Sequence, residues 1–148
     1  MRLHGALFLT AALLLAADTP KSSTDHDKIQ GVWKITSSRE NGQEPQGERK
    51  ERMEKVRVRF TADKVIFGEG EEKQEGTYKL DPAKQPPTIE VTTLSGPNKG
   101  KKTNGIYKLD GDTLKVCMSI EDGKEAPADF TAEADSGRAL FTLERIKP

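Results

Sequence analysis

The chain has 148 residues, with 24 basic side chains balanced by 24 acidic ones, two histidines and a single cysteine. A net charge of zero gives it no overall field to gather nucleic acid or anionic lipid, and one cysteine cannot close an intrachain disulfide. Only 33% of the residues are apolar, which argues against a large enzyme-like interior and for a thin core built partly from long side-chain stems.

The N-terminus opens with Arg2 and then runs uncharged from Gly5 to Ala17, the pattern of a secretory signal peptide. That run is shorter than the roughly 20 apolar residues that a membrane-spanning helix needs. Cleavage is expected after Ala17, leaving 131 residues, 23 of them basic and 24 acidic, which is the size of one domain. No cysteine near that point could accept a lipid, so the expected product is exported to the periplasm or beyond, without a stable membrane anchor. Residues 18–26 are polar and aperiodic and read as a flexible leader holding His26, and the domain is expected over 27–147.

Asp27 to Gln30 can form one helical turn capped by Asp27, after which Gly31 to Thr36 reads as a strand with Trp33 and Ile35 on one face. Asn41-Gly42 marks a turn. Glu48/Arg52 and Glu51/Lys55 are spaced for intrahelical ion pairs, predicting a short solvated helix near 48–55 with Met53 as its apolar anchor. Val56 to Phe60 alternates strictly and predicts a half-buried strand with Arg57 and Arg59 turned outward. Lys64 to Phe67 follows as another strand, bounded by Gly68-Glu69-Gly70.

Gly76-Thr77-Tyr78-Lys79-Leu80-Asp81 returns as Gly105-Ile106-Tyr107-Lys108-Leu109-Asp110, and each copy leads through a turn into a second strand, Thr88–Thr93 or Thr113–Met118. This is one β-hairpin unit used twice in a meander. Phe130–Ala132 and Ala139–Ile146 are expected to close the sheet. The chain is thus predicted to be all-β, a single antiparallel meander barrel of about eight strands.

No group of residues carries a catalytic or metal signature. Gly96 to Thr103 superficially resembles a phosphate-binding loop, but Asn104-Gly105 and a strand follow it where a helix N-terminus would be needed. Asp110-Gly111-Asp112 falls where a two-residue hairpin turn is required, and Glu69, Glu71, Glu72 and Glu75 read as a solvated loop. With His26 in the leader, a histidine-based zinc site or a Ser/His/Asp triad within the domain is not expected. The basic residues lack interleaved aromatics, so no nucleic-acid surface is predicted. Cys117 falls on the strand face opposite Leu114, Val116 and Met118 and points away from the core. It is either a small strand residue or a thiol open to reaction or intermolecular pairing.

Gly31-Val32-Trp33, opening the first strand, is similar to the glycine-x-tryptophan signature of lipocalins. In that fold an arginine of the last strand packs across the tryptophan, and Arg145 stands in the matching place; the resemblance implies a structural closure made by Trp33 and Arg145. From Lys28 to Arg145 the chain also resembles a family of uncharacterised domains of about one hundred residues, abundant among exported planctomycete proteins. The segments that carry this likeness are Ile29–Trp33, Gly76–Pro82, Gly96–Gly100, Gly105–Leu114 and Leu143–Arg145. That family brings no activity with it. The expected function is therefore a non-enzymatic, lipocalin-like domain without cofactor that binds a small apolar molecule. The alternative is an extracytoplasmic protein-interaction or envelope module with a filled barrel. Because Trp33, Phe60, Tyr78 and Tyr107 are all expected in the core, any cavity should be small or absent.

Overall fold

A computed structural model describes residues 24–148; the expected signal peptide, residues 1–17, and residues 18–23 of the expected leader lie outside the described residues. A short helix α1 (Asp25–Ile29) leads into β1 (Gly31–Glu40), helix α2 (Gly47–Lys55), and the strands β2 (Arg57–Phe60), β3 (Lys64–Phe67), β4 (Gln74–Asp81), β5 (Thr88–Thr93), β6 (Lys102–Asp110), β7 (Thr113–Ser119) and β8 (Arg138–Arg145). Each strand pairs antiparallel with the next, and β8 returns to β1, giving a closed eight-stranded meander barrel. Closure satisfies the backbone groups that an open edge strand would leave exposed.

The two-residue period decides which side chains enter the barrel. In β2, Val58 and Phe60 are buried whereas Arg59 is exposed; in β7, Leu114 and Val116 turn inward. The repeated hairpins align position for position, with Tyr78 opposite Val91 in one and Tyr107 opposite Val116 in the other. Each copy also keeps its glycine, and at Gly105 a Cβ would stand 2.6 Å from the Cys117 carbonyl oxygen across the pair. Glycine there permits the close approach of β6 to β7.

Three expectations need correction. Phe130–Ala132 forms no strand: β8 alone closes on β1, and the segment between β7 and β8 lies over the barrel's outer face with Pro127 and Ala132 buried. The domain begins before residue 27, because Thr24 caps α1 and its side chain accepts from the Asp27 amide while Asp27 reaches back to the Thr24 amide. This reciprocal capping satisfies two amides at once, so Asp27 belongs inside the helix and is not its cap. His26 is consequently part of the fold, its ring stacked 5.9 Å from that of Tyr78 and its Nε2 bonded to the Ala62 carbonyl.

Candidate functional site: a cavity open at one barrel end

The two ends of the barrel differ. At one end α1 folds across the opening and buries Ile29 completely, and its carbonyl accepts a 2.8 Å hydrogen bond from the Trp33 indole. The Arg145 guanidinium lies 4.3 Å from the Trp33 ring centroid and donates to the Gln30 carbonyl at 2.7 Å and to the Lys28 carbonyl. Cation–π attraction and a forked donor set thus tie the last strand to the helix that seals the barrel. Gly31 explains its own place in the Gly-x-Trp motif: its φ is +130°, and a Cβ there would stand 2.7 Å from Arg145 Nη1. Only glycine combines that conformation with that approach.

The large aromatics gather at the same closed end. Tyr78 donates to the Thr61 carbonyl at 2.6 Å and meets Phe60 edge-on at 5.2 Å, while Tyr107 donates to Asp25 at 2.7 Å. Burial and the neighbouring carboxylates raise both phenols above the ordinary tyrosine range, with desolvation the larger cause in each.

Trp33, Tyr78 and Tyr107 stay outside the lining of the other half, where a cavity of about 750 Å³ opens, walled by aliphatic side chains together with Phe60, Phe67 and Phe141. Its deep wall comes from Val58, Val65, Ile89, Leu114, Val116 and Leu143. This corrects the expectation of a small or absent cavity: Trp33, Phe60, Tyr78 and Tyr107 are all buried, but of the four only Phe60 reaches this space, and the rings do not fill it. Charged residues reach the cavity only at its rim, from the end of β1, from α2 and from the turn between β3 and β4.

α2 lies at this rim and buries none of its residues. Its backbone is finished by Val56, whose amide bonds the Arg52 and Met53 carbonyls at 3.1 and 3.3 Å, and Arg49 pairs with Glu40 of β1 at 2.6 Å. Met53 faces the cavity together with Arg52 and Lys55. The helix is thus a charged lip with one apolar anchor.

No family model, curated protein or solved structure matches this chain. The reading of the site therefore rests on its geometry.

Cys117 points out of the barrel, as its strand face predicts, but it is fully buried beneath the segment between β7 and β8, and its thiol donates to the Thr131 carbonyl at 3.4 Å. Burial raises its pKa. The readings of Cys117 as a reactive or intermolecularly paired thiol are corrected accordingly: the sulfur has neither access nor a stabilised thiolate. Asp112, in the turn considered for calcium, instead holds Arg145 at 3.3 Å and Lys147 at 3.0 Å. Among the described residues there is no cluster of side chains that could hold a metal ion, and no helix is long and apolar enough to cross a membrane. The rim contributions of Arg52, Lys55, Glu69 and Glu72 were missed by sequence reasoning, because they come from two separate strand connections, before β2 and after β3, that only the closed barrel brings to one opening.

Proposed function

We propose that this is an exported, non-enzymatic, lipocalin-like domain that takes up a small apolar molecule through the open barrel end. The observation that carries the reading is the cavity of about 750 Å³ with a largely apolar wall, which lies within the range of small-molecule sites, about 300–1,000 Å³. From Leu114 to Met118, both at the cavity wall, β7 advances by about 13 Å at the usual rise per residue. The alternative, a protein-interaction module, supposed a filled barrel, which the cavity does not favour. Export is supported by the N-terminal pattern alone.

The test is titration with the neutral dye N-phenyl-1-naphthylamine, comparing the native sequence with Val91→Trp. Val91 lines the cavity and is only partly buried, so an indole there occupies ligand space. Saturable dye fluorescence lost in the folded variant is expected. Equal dye binding by both proteins, or no saturable binding by either, refutes the reading. Native mass spectrometry of protein purified from its own host would then show what molecule it retains.

A further inference from the structure

The rim carries charges of both signs, and their pairing is incomplete. Arg39 and Arg49 are neutralised by Glu44 and Glu40 at 3.0 and 2.6 Å. The remaining charged rim residues are Arg52 and Lys55 on α2, and Glu69 and Glu72 in the turn between β3 and β4. None of these four enters an ion pair among the described residues. The two sets are separated by sign: the cations come from the β1–β2 connection and the acids from the β3–β4 connection, two strands further round the barrel. Two strand spacings correspond to about 10 Å, so a polar group at the mouth would have cations on one side and carboxylates on the other. Phe67, 42% exposed, lines the rim between them.

Resting on the proposed apolar binding, we infer that the occupant is a single-chain amphiphile with a zwitterionic head. Its hydrocarbon chain occupies the apolar interior, its acidic group meets Arg52 and Lys55, and its cationic group meets Glu69 and Glu72. A purely anionic head would satisfy α2 but crowd the two carboxylates, and a purely cationic head would do the reverse. A nonionic head would leave both sets without counter-charges. Complementary charge at a solvent-exposed rim adds modestly to affinity and chiefly sets preference between heads.

The experiment compares four surfactants with the same twelve-carbon tail, each below its critical micelle concentration: dodecylphosphocholine, dodecyl sulfate, dodecyltrimethylammonium and dodecyl maltoside. Each displaces N-phenyl-1-naphthylamine from the purified protein. Dodecylphosphocholine is expected to bind about tenfold more tightly than the maltoside. Arg52→Gln with Lys55→Gln should move the preference toward dodecyltrimethylammonium, and Glu69→Gln with Glu72→Gln toward dodecyl sulfate. These four positions are exposed, so the variants should fold, and circular dichroism checks that they do. Equal affinities for all four heads, or a native preference for either singly charged head, overturn the zwitterion inference while leaving apolar uptake standing. Failure of all four to displace the dye overturns both.

Discussion

Replacing Arg145 probes the closure of the barrel most directly. Its guanidinium lies over Trp33, donates to the carbonyls of Gln30 and Lys28, and pairs with Asp112, while its side chain keeps 23% of its surface exposed. A partly desolvated cation–π contact contributes about 1 kcal/mol. Hydrogen bonds from a charged donor contribute about 1.5 kcal/mol each at the lower end of their range, which suits a site that water can partly re-enter. The ion pair with exposed Asp112 adds little. Arg145→Ala should therefore cost about 3–4 kcal/mol. In urea, with a slope near 2 kcal/mol per molar for a domain of this size, the midpoint should fall by about 1.5–2 M without a change of slope. Arg145→Lys keeps the charge but lacks the planar fork, and should recover less than half of the loss. If Arg145→Ala costs under about 1 kcal/mol, or Arg145→Lys matches the native protein, the forked closure is not what holds α1 to the barrel.

Three further outcomes follow from the same geometry. Gly31→Ala must place a Cβ at φ +130° and 2.7 Å from Arg145 Nη1, so a loss of about 2–3 kcal/mol is expected from urea melts; a neutral result would show that the glycine is not required. Tyr78 and Tyr107 hold their protons more tightly folded than unfolded. Their contribution is thus fully present below the unfolded value of 10.0 and declines as pH rises above it, by up to about 1.4 kcal/mol per pH unit for each ring. Urea midpoints measured between pH 8 and 11 should fall mainly above pH 10, and Tyr107→Phe should flatten that fall; an unchanged slope in the variant would contradict the assignment. Cys117 should be inert to Ellman's reagent in the native protein and react with one equivalent after unfolding, whereas rapid native labelling would show that the segment over it opens readily.

Much of the barrel was legible in the chain because a strand buried on one face must alternate. Val56 to Phe60 could bury Val58 and Phe60 only by exposing Arg59, and the repeated Gly-x-Tyr-Lys-Leu-Asp units imposed the same cross-strand partners twice. Asp27 resembles a cap and so predicts a start two residues later than that of α1; the Thr24/Asp27 pairing becomes visible only when both amides are located. Phe130–Ala132 has the composition of a strand but finds no partner, since β8 already fills the position beside β1.

The candidate site was less legible, for a reason that lies in geometry. A count of aromatic residues suggested a filled interior, but filling depends on where along the barrel axis each ring lands, and that is set by strand register and stagger. The same applies to the rim, where Arg52 and Glu72 come to one opening from different strand connections. Likewise, alternation told which way Cys117 points but not that Pro127 and Ala132 belong to a segment lying over that face. The sequence by itself determined the local choices: inward and outward faces, the turns, the duplicated hairpin and the glycine beside Trp33. The meander of about eight strands was also legible, but only the tertiary structure decided that α1 seals one end and that the other opens into an apolar cavity, because those outcomes depend on contacts between residues far apart in the chain.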